Sequence, residues 1–279
     1  MGIFKSKTEK KKHIVPFIFA DDYLPAITWR AGGSVGKLRD HNEDAIFGLN
    51  ATTLASEAHY SFGLFMVADG MGGHLNGEVA SNLAIQAASA TLYQQVLEPL
   101  RLGQRNFSSE EINAALESAV KTAQNSVLRQ VSGGGTTLTI ALVLNQKLYF
   151  THVGDSRLYI AKADEPLRTL TKDHSLVRRL VELGQVTEEE AAEHPQRNVL
   201  FRAIGQEEGF KTDFGEMGLA SPHTLLLCTD GLWGLVDDKE IDRMVRESSD
   251  LGDAVNALID AANQAGGSDN ISVILVKVC

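Results

Sequence analysis

The chain has 279 residues, 43% hydrophobic and 22% charged, enough for one large globular domain or two small ones with a sizeable core. Its formal charge is −10 even though residues 1–12 carry five lysines against one glutamate, and so acidic a body argues against general nucleic-acid binding. No apolar stretch approaches the roughly 20 residues that span a bilayer, and two cysteines supply no disulfide framework, which points to a reducing cytoplasm.

Residues 1–25 read as a basic, flexible extension punctuated by Pro16 and Pro25. Met1-Gly2 with Ser6 also fits a myristoylation pattern, although a solvated lysine tail is the simpler account. From residue 26 to 279 no repeat, low-complexity block or linker divides the chain.

Apolar and β-branched runs predict strands over 27–31, 45–49 and 61–68. An alanine-rich helix is expected over 77–97, and a second over 110–131, announced by Ser108 and Glu111 in capping-box spacing. After Gly133-Gly134-Gly135 come strands over 136–144, 147–153 and 158–161, the first two joined as a hairpin. Residues 175–204 read as mostly helical, with another capping box at Thr187 and Glu190. Strands over 225–229 and 271–278 close the chain, separated by helices over 237–246 and 251–265. Strands and helices thus come in runs, which favours a layered α+β domain over regular βαβ alternation.

Three of the apolar runs stop at an aspartate, namely Asp69, Asp155 and Asp230, and Asp269 stands immediately before a fourth. Carboxylates delivered to one rim of a sheet repel one another unless cations neutralise them. Oxygen-only ligands favour hard ions such as Mg²⁺ or Mn²⁺.

The segment Asp69-Gly-Met-Gly-Gly-His74 fails as a nucleotide loop, because Leu75 occupies the place of the third glycine and no Walker lysine follows. Its three glycines imply close backbone approach, which suits a carboxylate and an exposed carbonyl at a hard metal. Asp230-Gly231 and Asp269-Asn270 repeat that grammar, and each alone reads equally as a turn. RDHNED (39–44) is either a charged surface turn or an arginine fork for an oxyanion beside carboxylates. The eight histidines form no zinc grouping, and no nucleophile elbow is present.

RDHNED, VADGMGG, GGTTLTIAL, VGDSRLYI, LLLCTDGLW and GGSDNISVILV follow one another in the order that characterises the metal-dependent Ser/Thr protein phosphatases of type 2C. The chain resembles that family, in its bacterial form, over residues 27–279. The resemblance implies a four-layer α-β-β-α sandwich with two central antiparallel sheets and a catalytic domain over 26–279. It implies that Asp69 bridges two metals, that the Gly70 carbonyl binds one of them, and that Asp230 and Asp269 bind the other. Glu43 matches a carboxylate that holds a metal through water, and Asp44, its neighbour in the same motif, is also counted among the candidate metal residues. Asp155 matches the aspartate that helps hold a third, weaker metal, and Arg39 the arginine that grips phosphate. Two Mg²⁺ or Mn²⁺ ions then lower the pKa of a bridging water, whose hydroxide attacks phosphorus in line. The implied activity is hydrolysis of phosphoserine and phosphothreonine in proteins, by a monomer that opposes a cognate Ser/Thr kinase. Other readings are a phosphoesterase for a small metabolite and an inactive phosphoprotein-binding module. Residues 170–201 fall where bacterial relatives carry a mobile flap. One departure concerns the leaving group: Met71 replaces the histidine of animal relatives, so the acid is either His74 or a metal-bound water.

Overall fold

Buried strands are apolar on both faces, and the apolar runs of this chain form two antiparallel sheets laid face to face. The computed structural model describes residues 26–54, 59–72, 76–104, 106–162, 165–192, 194–206, 211–219 and 222–279. The basic extension expected over 1–25, and His74, lie outside the described residues.

One sheet contains β1 (Ile27–Ser34), β11 (Ile271–Val278), β10 (His223–Cys228), β7 (Arg157–Lys162) and β8 (Arg168–Thr169), side by side in that order. The other runs β2 (Asp44–Leu54), β3 (His59–Met71), β5 (Leu138–Leu144), β6 (Lys147–Val153) and β9 (Asp213–Gly218), with the short β4 (Gly135–Thr136) against the end of β3. Helices α1 (Asn76–Leu92) and α3 (Ser109–Gln130) cover the second sheet; α7 (Asp238–Glu247) and α8 (Leu251–Gln264) cover the first. The four-layer α-β-β-α sandwich implied by the motifs is the fold observed.

The period of two along each strand decides which layer a residue joins. In β3, Phe62, Leu64 and Met66 meet the α1/α3 pair, whereas Phe65 and Val67 face the other sheet. In β10 and β11, Leu225, Leu227, Ile274 and Val276 fill the space between the sheets, while Leu226, Cys228, Val273 and Leu275 pack on α7 and α8. Alanines at 80, 84 and 88 of α1 share a core with those at 115, 119 and 123 of α3, and their small side chains let the two helices approach closely. The predicted capping box is present: Ser108 Oγ accepts from Glu111 N–H at 3.2 Å, and the Glu111 carboxylate accepts from Ser108 N–H at 2.8 Å.

Several expectations need correction. The stretch 175–204 is not mostly helical; it holds only α4 (Leu176–Glu182) and α5 (Glu188–Ala192), separated by a turn in which Gly184 takes φ +67°. The first long helix passes through a π turn at Tyr93–Leu97 into α2 (Glu98–Arg101). The run 136–144 breaks at Thr137, whose backbone turns aside to bond Asp69. Strand β9 has no apolar run to announce it, because it is an edge strand whose register sets Gly215 opposite Phe150. A short α6 (Asp230–Trp233) begins at an aspartate that the sequence placed at a strand end. Among the described residues no helix is long and apolar enough to cross a membrane.

Phe65 is fully buried between the sheets with its ring 5.8 Å from that of Trp29, so Phe65→Ala is expected to cost about 3–5 kcal/mol in urea unfolding. Ser108→Ala, which removes only a cap, should cost about 1 kcal/mol in the same measurement.

Candidate active site

The aspartates arrive from different directions at one end of the sandwich. Asp44 and Asp69 are cross-strand partners of β2 and β3, Asp230 opens α6 after β10, Asp269 precedes β11, and Asp155 lies between β6 and β7. Arg39, His41, Glu43, Asp69, Gly70, Asp155, Asp230 and Asp269 line one open cleft of about 370 Å³, together with Met71, Gly72, Thr137, Asn198 and Leu200. Of the described residues proposed as metal or phosphate ligands, only Asp44 is not among that lining. Asp44 is buried beside the cleft, where its Oδ2 accepts from the Thr229 hydroxyl at 2.8 Å.

Asp69 and Glu43 are held through their backbones by residues of other motifs. Asp69 N–H donates to Thr137 Oγ1 at 2.8 Å, and its carbonyl accepts from the Thr136 hydroxyl at 2.8 Å and from Thr137 N–H at 2.9 Å. The glycines around Asp69 and Asp230 are required by close approach. A Cβ on Gly70 would lie 2.2 Å from the Gly77 carbonyl oxygen, and one on Gly231 would lie 2.0 Å from that of Asn270. Asn270 binds the segments together: its Oδ1 accepts from Glu43 N–H at 2.8 Å, and its Nδ2 donates to the carbonyls of Val35 and His41 at 2.9 and 3.0 Å.

The electrostatics follow from burial and proximity. Burial pushes Asp44 up to about 7, with Asp230 and Asp269 adding repulsion. Asp230 is pushed up to about 6 by burial and then by Asp269. Asp69 and Asp155 sit well above the usual carboxylate range, through burial first and neighbouring carboxylates second. Arg39 offsets part of this charge: its Nη2 donates to Asp269 Oδ2 at 2.8 Å and its Nη1 stands 3.8 Å from Glu43 Oε2, so its own pKa is raised. Its side chain is nonetheless 46% exposed and can reach an incoming anion.

Three buried carboxylate oxygens, Glu43 Oε1, Asp44 Oδ1 and Asp230 Oδ1, have no hydrogen-bond partner among the described residues. Orphaned acceptors of this kind, all oxygen, match the donor set of a hard divalent cation. The side chains are not drawn together into a closed cage; among the described residues no three His, Cys, Asp or Glu groups stand at metal-holding spacing.

The motif residues Thr137, Thr229 and Asn270 act here as supports, which their hydroxyl and amide chemistry beside the aspartates could have signalled. Asn198 and Leu200, from the segment after α5, carried no local signal and reach the cleft only through the fold. His41 lines the cleft with its Nε2 3.6 Å from Glu43 Oε1, while Met71 presents a thioether.

The family model described as protein phosphatase 2C matches residues 39–274. The serine/threonine phosphatase stp of Listeria monocytogenes is 33% identical over 248 residues, covering 87% of this chain and 92% of that protein. The structure of the S. agalactiae serine/threonine phosphatase superposes with a TM-score of 0.76 at 31% identity, covering 90% of this chain and 99% of the other. The catalytic domain of the serine/threonine protein phosphatase PstP, in complex with two manganese ions, gives 0.72 at 30% identity, with 92% and 99% covered. Six motifs, a four-layer sandwich and a carboxylate-lined cleft at its end thus agree with these similarities, and the chain belongs to the protein phosphatase 2C family.

Proposed function

We propose that this protein is a metal-dependent serine/threonine protein phosphatase whose cleft hydrolyses phosphoserine and phosphothreonine in proteins. The observation that carries the reading is the set of unpartnered, buried carboxylate oxygens in and beside a cleft that also presents Arg39. Asp69, the Gly70 carbonyl, Asp230 and Asp269 would hold two Mg²⁺ or Mn²⁺ ions, with Glu43 acting through water and Asp155 serving a third, weaker ion. Bound divalent ions supply a lowered pKa for coordinated water and offset charge on phosphoryl oxygens. Asp44 supports this set from behind, oriented by Thr229. Arg39 grips two phosphoryl oxygens and aligns phosphorus; its contact with Asp269 gives way to, or is shared with, the substrate.

Residues 26–279 form the catalytic domain, and 170–201 act as a flap, a reading supported by the presence of Asn198 and Leu200 in the cleft wall. The enzyme works as a monomer in the cytoplasm against a cognate kinase, a reading that rests on the resemblance to bacterial relatives and on the lack of a disulfide framework. An inactive binding module is disfavoured because every motif carboxylate is retained, and a metabolite phosphoesterase has no feature of its own in the cleft to support it. Phosphopeptides compared with nucleotides as substrates test that choice.

Removing a group that hydrogen-bonds a metal ligand commonly costs about 10–100-fold, so loss of a direct ligand costs more. Asp230→Asn should therefore lower Mn²⁺-dependent hydrolysis of a phosphopeptide by more than about a hundredfold; unchanged activity would overturn the site. For proton delivery to the leaving alkoxide Met71 is incompetent, and His74, which lies outside the described residues, is the side chain proposed as donor. His74→Ala should slow phosphopeptide turnover far more than aryl phosphate turnover, and His41→Ala in the same pair of assays is the comparison that could reassign the role.

The raised carboxyl pKa values also set the pH dependence of metal binding. Without metal, the folded protein holds protons that the unfolded chain releases near pH 4, so these groups lose their stabilising effect as pH rises from about 4 to about 7. Cations need the deprotonated forms. The gain in Tm on adding Mn²⁺ should accordingly be larger at pH 7.5 than at pH 5, and a gain independent of pH would contradict the assignment.

A further inference from the structure

The loop that carries Asp155 is clamped from several sides. The Asp155 carbonyl accepts from Trp233 Nε1 at 3.0 Å. On its C-terminal side, Ser156 Oγ meets Thr137 Oγ1 at 2.7 Å, and the Ser156 carbonyl accepts from Thr139 Oγ1 at 3.1 Å; Thr139 Oγ1 is also 2.8 Å from Nδ1 of the buried His152. On its N-terminal side both backbone groups of Gly154 are taken by a single residue. His174 N–H donates to the Gly154 carbonyl at 2.7 Å, and Gly154 N–H donates to His174 Nδ1 at 3.1 Å.

His174 is 2% exposed and occupies the root of the segment 170–201. Its carbonyl accepts from Phe201 N–H at 2.9 Å, and the next residues pair again, Leu176 N–H with the Val199 carbonyl at 2.7 Å. Its ring stands 5.0 Å from that of His152 and 5.7 Å from that of Phe201. Since Nδ1 accepts from Gly154, the ring proton sits on Nε2, which faces Asp213 Oδ2 at 3.1 Å. Arg202 Nη1 lies 3.2 Å from both Asp213 Oδ1 and His174 Nε2, and it donates to the carboxylate because Nε2 carries a hydrogen. One imidazole therefore joins the Asp155 loop, the root of the 170–201 segment and β9.

We propose that His174 is a positioning residue that sets Asp155 in the cleft and couples it to the 170–201 segment through the Gly154 N–H···Nδ1 bond. The inference rests on the reading of Asp155 as a cation ligand. It predicts that the strength of the weakest cation site depends on an acceptor at the Nδ1 position rather than on the bulk of the ring.

Two conservative variants separate the ring's two nitrogens. The Oδ1 of asparagine falls near Nδ1 and can still accept from Gly154, whereas glutamine reaches toward Asp213 and leaves Gly154 N–H unpaired. Mn²⁺ binding to the full chain, followed by the spectroscopic loss of free Mn²⁺, should show the weakest site loosened about tenfold or more in His174→Gln and near wild type in His174→Asn. Amide exchange of a peptide spanning 151–156 should be faster only in His174→Gln. Equal loosening in both variants overturns the proposal, as does wild-type binding by His174→Gln when Asp155→Asn has lost the weakest ion. If Asp155→Asn itself binds every ion as the wild type does, the assignment of Asp155 fails, and the inference falls with it for a reason that this variant alone identifies.

Discussion

Mutual repulsion among carboxylates withdrawn from water is the constraint around which this molecule is organised. Asp44, Asp69, Asp155 and Asp230 are each pushed above their ordinary range by burial, and the charges of Asp44, Asp155 and Asp230 all push Asp69 further up. Such a group neutralises itself with protons or is neutralised by cations. A protein that keeps these carboxyls together must hold them against that repulsion, and most of the polar structure near the cleft serves that end.

The holding is done by backbone and by small polar side chains rather than by opposing charges. Thr136 and Thr137 fix the main chain at Asp69, Thr229 engages Asp44, and Asn270 links Glu43 to the strand beside Asp269. Arg39 is the cation among these supports, and its exposure leaves it available to substrate. The three apolar layers, one between the sheets and one under each helix pair, provide the rigidity that such a set of contacts needs, because a close-packed interior transmits little slack to the rim. The Asp155 loop follows the same logic with a difference: its clamp, His174, belongs to the segment that also walls the cleft, so one side of the site is tied to an element less deeply packed than the sheets.

Much of the fold was legible because its strands are doubly buried and its helices carry caps. The runs at 62–67, 225–228 and 271–276 could only be interior strands, and Ser108 with Glu111 marked the start of α3. What was misread had weak local signals. The 175–204 stretch is rich in good helix formers, but Gly184 and the paired segments at 174–176 and 199–201 interrupt it. Strand β9 alternates charged residues and glycine with only two apolar side chains, and is ordered by pairing with β6.

The residue types and order of the six motifs by themselves determined the family, the hard-cation chemistry and the candidate ligands, because that chemistry demands particular side chains at particular places in the chain. Only the tertiary structure decided that Asp44 stands buried beside the cleft while the other motif carboxylates line it, that Asn198 and Leu200 join the wall, and that His174 reaches Gly154. Contacts around the cleft span up to 235 residues of chain, as between Asn270 and Val35. Local sequence encodes chemistry and periodicity, whereas contacts of that range are set by how the sheets stack and where each strand ends.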